Sequence, residues 1–424
     1  MRRVLFIAYL YPPIANSGTR RSLAFANHLP DLGWEPLVLT LEPEPQVPLD
    51  AELLAEVRPG TRIERVPLQS RLRARRWAGW LPGRLGERVV EALAWRLRAK
   101  ANVPDDAAAW LAPAVERAVA LHGSVGFDAI YATGWPWTGF LIAREVARRT
   151  GKPYVLDYRD QWTPSGDMAW ESVSADQARD NPALERLAAK DAAAIVTVTR
   201  ALVDSIARDC GRDGLHLITN GFEPKDFAGD VAPIRDGLLR ISYTGVWRPG
   251  YGLQDLYAAI ALLKAQGRPE LARLRVQAAG FKPGHAAEAG VTDCVTELGP
   301  VPHGQALALM KQADLLYLPV PSGYYAMASL PGKLFEYLGC GRPVLAVVPE
   351  RSEVDLVLRE TGGGMRCEPG DVAGLARTLL GWLRGEVSVA PPRGIDHYSR
   401  AATTRRLAQV LDAAVEGRVL EPLR

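Results

Sequence analysis

Short apolar runs recur along the 424-residue chain, each followed by a turn and a longer stretch of 3.6-residue period. That alternation is the sequence form of repeated β-α units built around a parallel sheet, so an α/β fold is expected. Two series are present. The first includes Val4 to Ala8, Pro36 to Thr40, Asp128 to Ala132, Tyr154 to Asp157, Ala194 to Val198 and Leu215 to Ile218. The second restarts at Leu239 to Tyr243 and continues through Leu274 to Ala279, Asp314 to Leu318 and Pro343 to Val348. Between them, Phe222 to Leu238 is rich in Gly, Pro and Asp without a clear period and reads as a linker. The pattern predicts a first domain over 1–230, a second over 231–395, and a terminal helix within 396–424 (Ser399 to Glu416) returning toward the first domain. The length agrees with two domains.

Hydrophobic residues make up 48% and charged residues 23%, which excludes a disordered, collagenous or disulfide-scaffold chain. Cys210, Cys294, Cys340 and Cys367 lie far apart, without a C-x-x-C pair or a histidine at zinc-ligand spacing, so no metal site is expected and a reducing cytoplasm fits. The net charge is only +3, yet residues 70–100 carry nine basic side chains against Glu87 and Glu91. The basic character therefore belongs to one segment, and no nucleic-acid partner is expected. That segment, within an expected helical insertion over about 70–115, also holds Trp77, Trp80 and Trp95. From Leu85 onward an apolar stripe (Leu85, Val89, Ala92, Leu93, Leu97) opposes the arginines. It suits an anionic membrane surface, which would make the protein peripheral on the inner face; an inserted helical pair docked on the first domain is the alternative. The uncharged stretches elsewhere contain prolines and polar residues, so no spanning helix is expected.

Residues 328–345 carry the most chemistry. Pro331 and Gly332 suit the start of a helix running to about Leu338, and Gly339 and Gly341 end it. Such a start presents backbone N–H groups and a helix dipole that favour a phosphate. Lys333 lies in the first turn and Glu336 one turn on. The ammonium would neutralise a diphosphate while the carboxylate accepts hydrogen bonds from a ribose diol; a surface salt bridge is the alternative. Gly18, after the first strand, would let a diphosphate approach the backbone, or would belong to a plain β-α turn. Asp157-Tyr-Arg159-Asp160-Gln-Trp162 ends a strand, where charged groups normally face a ligand, or else form a buried ion pair. Thr133-Gly-Trp135-Pro-Trp137 follows another strand; its rings would stack on sugar or lipid, or cap a core.

Taken in order, Tyr11 to Gly18, Asp157 to Trp162, Thr219-Asn-Gly-Phe222, Tyr243-Thr-Gly245 and Pro331-Gly-Lys-Leu-Phe-Glu-Tyr before Gly341-Arg-Pro-Val resemble the GT-B glycosyltransferases of family 4. The likeness is to the subgroup with Pro-x-Lys-Leu-x-Glu-Tyr. It implies two Rossmann-like domains facing across a cleft, with a nucleoside-diphosphate sugar on the second and a sugar- or lipid-linked acceptor on the first. It further implies transfer with retention, as in polysaccharide or glycoconjugate biosynthesis, with no bound metal and no cofactor. By resemblance, Glu336 grips the nucleotide ribose, Gly18, Gly245, Gly332 and Lys333 serve the donor, and His303 lies near the base pocket. Asp160 and Arg159 address the acceptor hydroxyl and the reaction centre, and Trp135, Trp137 and Trp162 serve the acceptor.

Two departures from the family pattern stand out. The first glutamate of its E-x7-E pattern is replaced by Ala328. Val246 and Tyr251 stand where the family carries an arginine and a lysine, leaving Arg248 and Lys333 as substitutes. A sugar-nucleotide epimerase or pseudo-glycosyltransferase, and a non-catalytic nucleotide-sugar-binding partner, remain alternatives.

Overall fold

A computed structural model describes residues 1–16, 18–43, 48–68, 102–163, 174–229, 234, 236–247, 252–320 and 324–422. Its two compact units are Met1–Thr219 with Arg400–Arg424, and Asn220–Ser399.

The first unit is a seven-stranded parallel sheet: β1 (Arg2–Ile7), β2 (Trp34–Leu41), β3 (Arg62–Val66), β4 (Ala129–Gly134), β5 (Tyr154–Tyr158), β6 (Ala194–Thr197) and β7 (His216–Leu217), in the order β3-β2-β1-β4-β5-β6-β7. Its central strands are buried throughout because helices cover both faces. On one face Trp110, Leu121, Phe140 and Val146 pack against Leu5, Ile130 and Leu156. On the other, Leu23 and Phe25 from the helix Thr19–His28 meet Leu407, Val410 and Leu411 from the helix Arg400–Glu416, over Val4, Phe6 and Tyr131. Arg2 fixes this returning helix through Asp412 at 2.7 Å and Glu416 at 2.9 Å.

The second unit is a six-stranded parallel sheet: β8 (Leu239–Thr244), β9 (Leu274–Ala279), β10 (Val295–Glu297), β11 (Leu315–Pro319), β12 (Val344–Val347) and β13 (Gly364–Cys367), in the order β10-β9-β8-β11-β12-β13. The helices Gln254–Ala265 and Val372–Arg384 bury Tyr257, Ile260 and Leu379 on one face. The helix Gly332–Gly339 buries Leu334, Phe335 and Leu338 on the other.

The change of unit comes at Thr219, ahead of the sequence-derived boundary near 230. Phe222, assigned to the linker from sequence, is a core residue of the second unit: its ring lies where a β-carbon at Gly339 would sit. The short helix Pro224–Phe227 follows it. A single aromatic followed by four helical residues is too short to show a period. Strands β3, β10 and β13 were also absent from the two sequence series. All three lie at sheet edges, where one side needs no apolar cover, so RIERV, VTE and GMRC carry no apolar run.

In both sheets the order reverses once beside the first strand, between β1 and β4 and between β8 and β11. Loops leaving the carboxyl ends of strands diverge at such a point, which is where open α/β sheets bind ligands.

Candidate active site

In the second unit, β8 runs out through Thr244 into Gly245 beside the reversal. Tyr337 Oη accepts a hydrogen bond from Thr244 N at 3.2 Å, and Tyr243 Oη donates to Val246 O at 2.7 Å, so two tyrosines fix the strand's end. Gly280, at the end of β9, has φ +104°, and a β-carbon there would lie 2.6 Å from Gly245 O. Its own N–H donates to Gly299 O at 2.8 Å. Glycine is thus required at Gly280 by backbone contact and by its left-handed conformation.

The Lys333 Nζ occupies the place that a β-carbon on Gly245 would take, 4.6 Å from the centre of the Tyr243 ring. Burial pulls the Lys333 ammonium down to about 8, against the opposing pull of Glu336. Lys333 belongs to the first turn of the helix Gly332–Gly339, whose N-cap residue Pro331 makes no side-chain cap and whose first turn carries no acid. Gly332 is exposed, with nothing within 4 Å of where a β-carbon would project. Glu336 is half-buried, and among the described residues its carboxylate accepts no hydrogen bond. A partly buried cation, an uncapped helix start and a carboxylate that accepts no hydrogen bond among the described residues therefore gather at one strand end. This suits a ligand that is both strongly anionic and rich in hydroxyls.

The first unit repeats the device. Arg159, just past β5, donates from Nε to Gly134 O at 2.6 Å and from Nη2 to Trp135 O at 2.7 Å, and its Nη1 lies where a β-carbon on Gly18 would fall. Gly18 is the N-cap of the helix Thr19–His28 and makes no side-chain cap. Burial lowers the pKa of Arg159, with Asp160 and Asp157 opposing. Asp160 is half-buried, and burial raises its pKa, with Arg159 opposing; its carboxylate accepts no hydrogen bond among the described residues. The segment is held on both sides of Asp160: Gln161 Nε2 donates to Ser205 Oγ at 2.7 Å and Asp209 Oδ2 at 2.9 Å, and Thr163 N donates to Glu185 Oε2 at 3.1 Å.

The neighbouring Asp157 is fully buried and already satisfied. Arg21 grips it through Nε at 2.8 Å and Nη2 at 2.9 Å, and Tyr131 Oη donates a hydrogen bond to it. Arg21 also donates to Thr219 O at 2.8 Å and Ile218 O at 2.9 Å. Of the two aspartates in the 157–162 segment, Asp157 is thus the buried ion pair and Asp160 the available carboxylate.

Residues 18–221 match the model of the glycosyl transferase 4-like domain, and residues 239–384 match that of the glycosyl transferases group 1. Structures of similar fold include a sucrose-phosphate synthase from Thermosynechococcus elongatus, 15% identical, covering 98% of this chain and 97% of that one at a TM-score of 0.57. Another is Anabaena HepE in complex with UDP-glucose, 16% identical, covering 98% and 99% at 0.56. The lipopolysaccharide outer core galactosyltransferase WaaB is 14% identical, covering 98% and 99% at 0.54. The chain is a GT-B glycosyltransferase. No curated protein matched it in sequence.

Within this glycosyltransferase, the residues singled out from sequence fall into groups. Gly245, Gly332, Lys333 and Glu336 come together at the end of β8, and Gly18, Arg159 and Asp160 at the ends of β1 and β5. Arg248 lies outside the described residues, as does the basic segment 70–100. His303 starts the helix His303–Gln312 and points Nε2 toward Asp226 Oδ2 at 3.9 Å, on the helix Pro224–Phe227. Trp137 and Trp162 are 6% and 3% exposed and stack at 5.5 Å beside Phe140 and Tyr158, the packing of core side chains. Trp135 is 42% exposed and open to a ligand. Ala328 is buried. Among the described residues no three His, Cys, Asp or Glu side chains are gathered to hold a metal ion, and no helix is long and apolar enough to cross a membrane.

Sequence reading missed Gly280, Tyr243 and Tyr337 as supports of the strand end. The Ala279-Gly280 step closing an apolar run was the available signal for the first. The tyrosines look like ordinary core residues until their hydroxyls are placed.

Proposed function

We propose that the enzyme transfers a sugar from a nucleoside-diphosphate sugar to an acceptor hydroxyl with retention of configuration, and that the leaving diphosphate is neutralised by protein cations rather than a metal. The observation that carries this is Lys333 lodged at Gly245 beside the uncapped start of the helix Gly332–Gly339. The diphosphate pairs with Lys333 Nζ over Gly245, Glu336 receives the ribose diol, and Gly332 leaves room for the backbone approach. UDP-glucose bound to HepE, a structure of similar fold, supports a nucleotide-sugar ligand.

At the first unit, Asp160 accepts a hydrogen bond from the acceptor hydroxyl and either takes its proton or orients it toward the leaving phosphate oxygen. Arg159 supplies positive charge at the reaction centre, and exposed Trp135 offers a face to a sugar or lipid acceptor. Residues 70–100 would bring the enzyme to a lipid-linked acceptor on an anionic surface, making it a peripheral enzyme of polysaccharide or glycoconjugate assembly. Sedimentation with anionic and neutral vesicles tests that step, and equal binding to both removes it.

The transfer reading is tested by nucleoside diphosphate release across a panel of donors and acceptors with chelator present. Release that requires both acceptor and intact donor supports it. A second reading, rearrangement of the sugar nucleotide, is favoured by Ala328, which removes a carboxylate from the motif. A new nucleotide sugar formed without acceptor would establish it instead.

A further inference from the structure

The helix Thr138–Thr150 begins without a cap of its own. Its N-cap residue is Trp137, in helical conformation, with no side-chain hydrogen bond to the first turn. The cap comes from Asp105, 33 residues earlier: Oδ2 accepts from Thr138 N at 3.0 Å and Oδ1 from Thr138 Oγ1 at 2.8 Å. Asp105 is 5% exposed, and its Oδ1 also accepts from Ala107 N at 2.9 Å. Its backbone is held in turn by the helix Ala175–Lys190, where Asn181 Nδ2 donates to Pro104 O at 3.1 Å and Gln177 Nε2 to Asn102 O at 2.7 Å.

A serine or asparagine at position 137 could cap this helix locally without burying a charge. The chain instead carries Trp137 in the aromatic cluster and brings in a buried carboxylate from a distant segment. What precedes the capped turn gives this arrangement a use: Gly134 O and Trp135 O, the two carbonyls that grip Arg159, lie four and three residues before Thr138. We infer that Asp105 is a positioning residue for Arg159, fixing from outside the helix the loop whose carbonyls aim the guanidinium. The line of support runs from the helix Ala175–Lys190 through Asp105 to Thr138, then through the carbonyls of Gly134 and Trp135 to Arg159. This inference rests on the reading of Arg159 as a group at the reaction centre.

The test uses the full-length enzyme with Asp105→Asn, which keeps one acceptor oxygen but turns an amide toward Thr138 N, together with Arg159→Lys and the double variant. The expected result is faster amide exchange across residues 133–139 and a fall in kcat of about tenfold, the size of a lost cap expressed as a rate, with donor KM unchanged. Arg159→Lys added to Asp105→Asn should then cost no more than Arg159→Lys alone, because both act through one guanidinium. Independent, multiplying losses would overturn the proposal, as would a normal kcat despite faster exchange. If Asp105→Asn fails to fold, Thr138→Val removes one of the two bonds and is expected to show the same pattern at smaller size. The parent reading fails separately, through absence of any sugar transfer by the wild-type enzyme. In that event unchanged exchange across 133–139 in Asp105→Asn would still overturn the positioning role.

Discussion

At the scale of single residues, two glycines do something other than what their place after a strand suggests. Gly18 stood out in the sequence as a position where a diphosphate could approach the backbone, and Gly245 as a donor residue by resemblance. In the structure each houses a cation from elsewhere in its own unit, Arg159 and Lys333. Gly245→Ala should displace the ammonium and weaken donor binding by about 1.5–3 kcal/mol, the value of hydrogen bonds to charged groups. Calorimetric titration checks this, and unchanged affinity would count against it. Lys333 gives a second prediction. Its pKa near 8 lies below that of a free lysine because burial disfavours the charge. Donor affinity should therefore decline as pH rises through about 8, where the ammonium is lost. The stability sign is opposite: the unfolded state holds this proton up to the ordinary lysine range, so its contribution to stability rises with pH above about 8. Lys333→Met should accordingly raise the melting temperature at pH 7 while weakening donor binding, an exchange of stability for function visible in one variant. Asp160→Asn should leave donor affinity intact and depress turnover, and should remove an acidic limb of the rate profile that lies above the usual carboxylate range.

At the scale of elements, the parallel strands and the helices Thr19–His28, Gly332–Gly339 and Arg400–Glu416 were legible because apolar period and Gly/Pro punctuation agreed in each. The edge strands β3, β10 and β13 were not, since a strand with one open side needs no apolar run, whereas β7, also at an edge, was read within Leu215 to Ile218. Nor could sequence tell which charged groups of the 157–162 segment are buried. That depends on Arg21, which lies 136 positions from Asp157 and reaches it only across the folded sheet. Arg21→Met should cost about 3–5 kcal/mol, because it leaves a buried carboxylate unpaired. Replacing Asp157 by Leu in the same protein should recover part of that loss in denaturant unfolding. The tryptophans separate in the same way. Trp137→Ala should cost about 3–5 kcal/mol by opening the stacked cluster, whereas Trp135→Ala should leave the melting temperature nearly unchanged and act on acceptor use alone.

At the scale of the whole molecule, the sequence pattern, the two parallel sheets and the two domain matches describe one kind of enzyme, with candidate ligand groups at the end of β8 in one unit and at the ends of β1 and β5 in the other. The helix Arg400–Glu416 ties the end of the chain into the first unit, through apolar contacts from Leu407, Val410 and Leu411 and the ion pairs of Arg2. The central claim is that the second unit grips a nucleoside-diphosphate sugar through Lys333, Glu336 and the start of their helix. Its most direct measurement is calorimetric titration of wild type and Glu336→Ala with a panel of nucleoside-diphosphate sugars. The account predicts that a member of the panel binds wild type and loses about tenfold or more in affinity for Glu336→Ala. Absence of binding by every member, or equal affinity for both proteins, would contradict it.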